Sequence, residues 1–442
     1  MKFSKLRILS ILMIGIIALG GCSGSAPSDA EGKRDTENVT LTVSISLWNP
    51  SYYIPELQSI IHEYREEKNV DIELVDYSEK YGEGAAQKLS AELMSGRGPD
   101  VIVNPGMFFH SVDIHKIMSS GVFEDLGPLL DLEGKEDRYF TKVLDSGKHE
   151  DKQLIVPLFF SIKSFVSTRN VLEKNHFDVN RCGTYDGFLS EFNNYLDSDV
   201  ATPPLIYEQR CLFLFLSDSI YDPSVIDYNN RSVDFSLPEV RETYEFIKKF
   251  MDRYSLSPYG DNYYIPGGND GAALLQSGKA LFLTQGEGGG WGTLYWLNEL
   301  NPWIEEGDQL VMTALRRSSD DSVITYEQVS MAANRNSRSL EAAAEFINYL
   351  LSDIVQCSRF DVYMPVYKQG VEARIRSEWW KDMPEYLRNA YRSVANDVGG
   401  MQFNWRFPAD MYEMMEPYYL GKESYDSCIS KAENRFSIFV DE

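Results

Sequence analysis

Three pairs in this 442-residue sequence join an aromatic ring to a polar side chain: Trp48 with Asn49, Glu287 with Trp291, and Trp405 with Arg406. An aromatic ring covers the apolar C–H face of a sugar, and amide, carboxylate or guanidinium groups satisfy its hydroxyls in a buried cleft. We therefore interpret these pairs as candidate carbohydrate contacts. The alternative for each pair is an aromatic residue of the core beside a solvated polar residue.

Strand ends position the first candidates. Apolar residues alternate with Thr and Ser over 41–47, which is typical of a half-buried strand, and Trp48 follows it directly. A second short strand is predicted over 100–104, stopped by Pro105. Its last residue, Asn104, is the next candidate contact, and its alternative role is an Asx turn before the proline.

The elements around these strands predict a parallel α/β unit. The spacing of apolar residues indicates alternating strands and helices, in the order strand 41–47, helix from Pro55, strand 70–75, helix through 89–94 and strand 100–104. Such a unit has right-handed crossovers, and ligands of open α/β sheets bind at the carboxyl ends of the strands. Helices are also predicted over 239–254 and 340–351.

The N-terminus has the features of an export signal that ends in a lipid anchor. Bases precede the apolar run 8–19, which is too short to cross a hydrocarbon core of about 30 Å. Leu-Gly-Gly before Cys22 resembles the bacterial lipobox, in which the cysteine thiol is lipidated, with palmitate as an expected acyl group. We predict a signal peptide over 1–21. The alternative is an ordinary secretory signal with an incidental cysteine.

Composition excludes several classes of function. The chain has 67 acidic and 42 basic residues, a net charge of −25, which disfavours binding to nucleic acid. It contains no P-loop, GxSxG or HExxH motif and no CxxC pair, so we predict no cofactor, no metal site and no catalytic residue. Glu287 could act as an acid in a glycan-acting hydrolase, but that chemistry needs a second carboxylate at a defined distance.

Motifs spread along the chain resemble one family, the extracellular solute-binding proteins of carbohydrate ABC importers, the group that includes the maltose-binding protein. The resemblance begins with the lipobox cysteine. Its further motifs are the Pro-Asp passage at 93–102, the Gly-Lys-Ala strand at 277–282 with Gly290-Trp291, the strand and helix at 331–334 and 341–346, and Met-Pro-Val-Tyr at 364–367. One departure is Gly289-Gly290-Trp291, which lacks the proline of the family.

The resemblance implies a two-lobed α/β fold like that of periplasmic binding proteins, each lobe a sheet flanked by helices, joined by hinge crossings. The crossings would be 156–160, 313–315 and 363–365, which adds Phe160 and Tyr363 to the candidate contacts. The implied organisation is a signal peptide over 1–21, a lipidated cysteine and flexible tether over 22–38, a first lobe of 39–160 plus 315–362, and a second lobe of 161–314 plus 363–442.

The resemblance also implies a function. We expect a monomeric receptor, lipid-anchored at the extracellular face of the cell membrane, that captures an oligosaccharide between two closing lobes. Its partners would be the carbohydrate and the permease subunits of an ABC importer, and it would catalyse no reaction. Two alternatives stay open: a secreted glycan-acting hydrolase, and a binding protein of the same fold for peptides or other polar solutes.

Overall fold

Two larger β-sheets, two short pairs of strands (residues 148–153 and 226–233) and the helices around them make up the described part of the chain. The computed structural model describes residues 40–45, 53–109, 113–198, 216–221, 223–253, 268–284, 293–403 and 407–441. The strands and helices below all belong to the compact unit Asn38–Glu442.

The strands are β1 (Thr40–Ile45), β2 (Asp71–Asp76), β3 (Val101–Val103), β4 (Lys148–His149), β5 (Lys152–Gln153), β6 (Val156–Ile162), β7 (Ser164–Thr168), β8 (Ile226–Asp227), β9 (Ser232–Val233), β10 (Leu283–Thr284), β11 (Leu310–Ala314), β12 (Val323–Ala333), β13 (Met364–Pro365) and β14 (Val398–Gln402).

The α-helices are α1 (Tyr53–Lys68), α2 (Tyr77–Tyr81), α3 (Ala85–Met94), α4 (Pro105–Phe108), α5 (Ile114–Ser119), α6 (Thr141–Asp145), α7 (Arg169–Lys174), α8 (Tyr185–Asp197), α9 (Pro238–Arg253), α10 (Gly268–Gln276), α11 (Thr293–Leu300), α12 (Leu340–Leu350), α13 (Asp353–Ser358), α14 (Lys368–Ile375), α15 (Glu385–Asn396), α16 (Phe407–Tyr419) and α17 (Tyr425–Asp441).

The larger sheet has seven strands in the order β13-β6-β12-β3-β1-β2, with β14 paired to β12. β1 pairs in parallel with both β2 and β3, so the predicted parallel α/β unit is confirmed. Leu41, Val43 and Ile45 of β1 are all buried, as their alternation predicts. β1 is described over Thr40–Ile45, and residues 46 and 47, to which the sequence predicts that the strand extends, lie outside the described part of the chain.

The smaller sheet has three strands in the order β10-β7-β11. The chain passes from the larger sheet to the smaller at Lys163, the single residue between β6 and β7, and returns between β11 and β12. The segment predicted as the first crossing, 156–160, therefore lies within β6 of the larger sheet. The change of sheet comes three residues later.

Two predicted amphipathic helices are confirmed. α9 buries Val240, Tyr244 and Ile247 on one face, and α12 buries Ala343, Ala344, Phe346, Ile347 and Leu350. Both helices follow the spacing of three and four residues that places apolar side chains on one side.

Aromatic residues make up 13% of the sequence, and five of them pack in the core around β7. Phe165 of β7 lies 5.2 Å from Phe188 and 6.1 Å from Phe282, measured between ring centroids. Phe192 packs 4.5 Å from Phe188, and Phe177 packs 5.1 Å from Phe282. All five rings are buried, so they contribute to packing and not to a stacking surface.

The C-terminal part of the chain contributes to the larger sheet and then to a helical layer. β14 pairs in parallel with β12 through Val398 and Val323. Beyond it, α16 and α17 pack together, with the rings of Phe407 and Phe436 5.3 Å apart. The limits given above for the two lobes stay predictions.

The described cysteines are free. Cys182 and Cys428 are buried and Cys357 is partly exposed, and Cys211 lies outside the described residues. Burial raises the pKa of the Cys182 thiol to about 12, which keeps it in the unreactive thiol form. Among the described helices, none combines the length and apolar character needed to cross a membrane.

Gly147 lies where the chain turns from α6 into the β4–β5 hairpin, and a side chain there has no room. A Cβ atom on Gly147 would lie 1.9 Å from the carbonyl oxygen of Ile155. We expect Gly147→Ala to lower the free energy of unfolding by about 1–3 kcal/mol, because the backbone must shift. The matched control is Gly84→Ala, since a Cβ there meets nothing within 4 Å. Equal stability of the two variants in urea denaturation would contradict this expectation.

Candidate functional site

The carboxyl ends of β3 and β6 lie at one edge of the larger sheet. β12 runs antiparallel to both strands, so β3 and β6 are parallel to each other and to β1. In open α/β sheets this edge is where ligands bind. We call it the carboxyl edge, and it includes the residues that directly follow β3 and β6.

Asn104 follows β3 at this edge in the left-handed backbone conformation, with a φ of 50°. Its side-chain amide donates to the carbonyl of Gln328 at 2.7 Å, and its side-chain oxygen accepts from the amide of Ser330 at 2.8 Å. The side chain is only 2% exposed. These two hydrogen bonds connect the end of β3 to β12. A role of Asn104 in contacting ligand stays a prediction.

Glu327 of β12 is fully buried beneath the turn that follows Asn104. Its carboxylate accepts from the backbone amides of Gly106 at 3.3 Å and of Met107 at 2.6 Å. It also accepts from the hydroxyl of Ser330. Because a buried carboxylate needs several donors, these bonds fix the turn relative to β12.

Gly106 is required by this arrangement. A Cβ atom on Gly106 would lie 2.6 Å from Oε2 of Glu327 and 3.0 Å from the ring of Phe403. Phe403 is the residue after β14, so the C-terminal part of the chain reaches the same turn. The carboxyl edge is thus assembled from three distant parts of the sequence.

A second polar contact at this edge joins β12 to β6. The side-chain amide of Gln328 donates to the hydroxyl of Ser161 at 2.9 Å. Both residues are partly exposed. Their remaining hydrogen-bonding capacity is suited to the hydroxyls of a polar ligand.

Lys163 forms a buried cluster at the point where the chain changes sheets. Its ammonium lies 3.1 Å from the carboxylate of Asp218, and the two side chains are 12% and 3% exposed. The hydroxyl of Tyr326 donates to the same carboxylate at 2.8 Å, and the ammonium lies 4.1 Å from the ring centroid of Tyr326. The carbonyl of Lys163 accepts from the amide of Leu315, on the returning crossing.

Burial sets the protonation of this cluster. Desolvation raises the pKa of Asp218 above its ordinary value, while Lys163, Tyr326 and Arg317 oppose that rise. The carboxylate therefore depends on its cationic neighbour to stay ionised in the folded state. The cluster connects residues 216–219, both crossings and β12.

Phe160 and Tyr363, predicted as contacts at the crossings, are both buried. Phe160 is fully enclosed in β6, with its ring edge-to-face against Phe140 at 5.8 Å. Tyr363 is 2% exposed, and its amide donates to the carbonyl of Phe360. Neither ring is open to solvent in this conformation, and their role in binding stays a prediction.

The remaining predicted functional residues lie outside the described part of the chain. They are Cys22, Trp48, Asn49, Glu287, Trp291, Trp405 and Arg406. Their roles stay predictions.

Sequence reasoning missed Glu327, Lys163 and Asp218. A signal existed for Glu327, because an acidic residue inside the long apolar strand Val323–Ala333 must have buried donors as partners. No local signal pairs Lys163 with Asp218, since they are 55 residues apart in sequence.

A cavity of about 690 Å³ lies away from the carboxyl edge, between α5 and α17. It extends to Met94 and Arg335, near the amino end of β3. Its walls include the stacked rings of His115 and Tyr228, 4.0 Å apart. None of the described residues assigned above to the carboxyl edge lines this cavity. No group of three or more metal-ligating side chains occurs among the described residues.

The sequence matches the family model described as bacterial extracellular solute-binding protein over residues 59–387, which is more than half of the chain. No curated relative matches at the level of sequence.

Solved structures share the fold at low sequence identity. A cyclic alpha-maltosyl-1,6-maltose binding protein from Arthrobacter globiformis is 16% identical, with a TM-score of 0.63 over 91% of this chain and 99% of that chain. The sugar-binding protein MalE from Xanthomonas citri is 13% identical, with a TM-score of 0.66 over 91% and 98%. The substrate-binding protein Lmo0181 from Listeria monocytogenes, in complex with cycloalternan, is 11% identical, with a TM-score of 0.56 over 92% and 100%. These likenesses confirm the two-lobed α/β fold.

Proposed function

This chain belongs to the family of bacterial extracellular solute-binding proteins, and on that premise we propose that it is a carbohydrate receptor of an ABC importer. The observation that carries the proposal is the family match together with the ligands of the similar structures. The Arthrobacter globiformis protein binds cyclic alpha-maltosyl-1,6-maltose, the Xanthomonas citri protein binds sugar, and the Listeria monocytogenes protein is in complex with cycloalternan. An oligosaccharide is the ligand that these similarities support best.

The carboxyl edge supports a ligand with many hydroxyl groups. Gln328 and Ser161 present partly exposed amide and hydroxyl groups beside the turn after β3. The predicted pairs that begin with Trp48, Glu287 and Trp405 would supply the aromatic faces and further polar groups. A ligand held by both lobes binds the closed form better than the open form, and so shifts the equilibrium between them.

We also propose a lipid anchor at Cys22 and a location at the extracellular face of the cell membrane. The apolar run 8–19 and the Leu-Gly-Gly-Cys sequence support this. The tether predicted over 22–38 would hold the receptor near the permease subunits of its importer. The receptor would act as a monomer and would deliver its ligand unchanged.

The experiment that tests the proposal is a thermal-shift screen of residues 23–442, which include the compact unit Asn38–Glu442. The panel contains neutral mono- and oligosaccharides, uronic acids, peptides and polyamines. A ligand that binds only the native state at 100 times its Kd stabilises it by about 2.7 kcal/mol, which raises Tm measurably. We expect a shift confined to one class of neutral oligosaccharide.

Two outcomes would contradict the proposal. A shift with peptides alone would retain the family and replace the ligand class. Release of shorter sugars during a long incubation would indicate a glycan-acting hydrolase, and recovery of the ligand unchanged would exclude that alternative.

A further inference from the structure

We propose that Glu327 is a positioning residue for ligand binding, because its buried carboxylate holds the turn at the carboxyl edge in the shape that receives the ligand. The binding part of this inference rests on the proposed function. The structural part rests only on the contacts of Glu327.

Three features of the turn after β3 are consistent with a turn that forms around the carboxylate of Glu327. Asn104 enters the turn in a left-handed conformation that few non-glycine residues adopt. Gly106 has no Cβ, and one would meet Oε2 of Glu327 at 2.6 Å. The amide of Met107 points at the carboxylate at 2.6 Å. A left-handed asparagine, a required glycine and a directed amide are together best explained by a turn built around Glu327.

The position of Glu327 explains why its hydrogen bonds to the turn affect ligand binding as well as stability. It lies in the middle of β12, between Gln328 and Tyr326. Gln328 bonds to Asn104 directly after β3 and to Ser161 of β6, and Tyr326 bonds to Asp218 beside the change of sheet. A displacement of the carboxylate would move the turn after β3 relative to β6. The amide and hydroxyl groups at the carboxyl edge would then lose their mutual spacing, and binding geometry tolerates errors of well under 1 Å.

The chain offers a matched control in Glu191 of α8. Glu191 is also a buried carboxylate, 5% exposed, and accepts from the backbone amide of Asp178 at 2.8 Å. It differs from Glu327 in location, since its partners lie in the segment before α8 and not at the carboxyl edge, and one of them is the guanidinium of Arg181 at 3.4 Å. Glu191→Gln and Glu327→Gln are therefore the same chemical change at two places.

The test measures two properties of the parent chain, Glu327→Gln and Glu191→Gln. The first is hydrogen exchange of the backbone amides in the peptide that contains residues 105–109. The second is the affinity for the carbohydrate that gives the largest thermal shift. We expect Glu327→Gln to speed exchange of the Met107 amide and to weaken affinity, each by roughly tenfold or more, because at least one hydrogen bond to the carboxylate is lost.

Glu191→Gln should lower Tm by about as much as Glu327→Gln does. It should leave exchange of the Met107 amide and the affinity for the carbohydrate unchanged. Gly106→Ala, which pushes the carboxylate away without changing its charge, should weaken affinity in the same direction as Glu327→Gln. The inference is overturned if Glu327→Gln binds within twofold of the parent chain or leaves exchange of the Met107 amide unchanged. If the parent chain binds no carbohydrate, the proposed function fails. The exchange measurement then still decides whether Glu327 holds the turn.

Discussion

Lys163→Met is expected to lower the free energy of unfolding by about 3–5 kcal/mol, because it leaves the carboxylate of Asp218 buried without its cation. The methionine fills most of the volume of the lysine stem, so lost packing is a minor part of the effect. The ammonium lies 3.1 Å from the carboxylate and both side chains are nearly inaccessible to water. Urea denaturation of the purified chain measures the loss.

The dependence on pH identifies the cause. Asp218 already has a raised pKa in the folded protein, and removal of Lys163 raises it further. An acid whose folded-state pKa is raised binds more protons in the folded state than in the unfolded state. The stability deficit of Lys163→Met should therefore shrink as pH falls towards the ordinary pKa of Asp. Lys163→Met/Asp218→Asn, which has no buried charge at this pair, should recover part of the deficit at neutral pH.

A matched control separates burial from charge pairing. Lys142 lies 3.1 Å from Asp320, the same separation, but those side chains are 61% and 44% exposed. We expect Lys142→Met to cost less than about 1 kcal/mol, because water solvates the remaining carboxylate. Losses of similar size in Lys163→Met and Lys142→Met would show that burial of Asp218 does not govern the effect.

The parallel unit β1–α1–β2–α3–β3 could be predicted from the sequence because its signals are local. Alternation in β1 and the spacing of apolar residues in α1 lie within single elements, and each depends only on which face is buried. The change of sheet at Lys163 could not be located in the same way. It depends on which strand each neighbouring segment pairs with, and that is a long-range property.

The candidate site shows the same difference between local signals, which the sequence contains, and long-range contacts, which it does not. The end of β3 at Asn104 can be predicted because a proline follows an apolar run. The bonds that both ends of its side-chain amide form with β12 cannot, and its contact with ligand stays a prediction. The bond between Asn104 and Ser330 joins residues that are 226 apart in sequence. The bond between Met107 and Glu327 joins residues that are 220 apart. Sequence reasoning can identify an edge, but the donors and acceptors used up within the fold emerge only from the packed strands.

Substitution of Arg374 is the second change that we expect to lower stability strongly. Its fully buried guanidinium donates hydrogen bonds to four backbone carbonyls. One terminal nitrogen donates to the carbonyls of Gln356 at 2.8 Å and Gly370 at 3.3 Å. The other donates to the carbonyl of Arg359 and to that of Phe360 at 3.3 Å. These carbonyls end α13 and begin α14, so the side chain joins the two helices beside β13.

The charge of Arg374 is stabilised without an ion pair to a carboxylate. The side chain is 1% exposed, and it forms no ion pair within the described part of the chain. Desolvation lowers the pKa of the guanidinium to about 10, although Tyr391 and Asp361 oppose this fall. The ring of Phe159, 5.4 Å from the guanidinium carbon, adds a cation–π contact. The carbonyls, this ring and the charge of Asp361 together offset the cost of burying the guanidinium.

Arg374→Met should lower the free energy of unfolding by about 3–5 kcal/mol, since a buried carbonyl left without a donor costs about 1–3 kcal/mol. The carbonyl of Phe360 keeps the amide of Tyr363 as a donor, so it is not left unpaired. The control is Arg376→Met two residues later, whose side chain is 74% exposed and pairs with Glu372 at 3.5 Å. That change should stay within about 0.5 kcal/mol. Chemical denaturation of both variants measures whether the buried Arg374 contributes more to stability than the exposed Arg376. If Arg374→Met were no less stable than Arg376→Met, the contact between α13 and α14 would not depend on the guanidinium, and apolar packing around Phe159 would hold β13 in place.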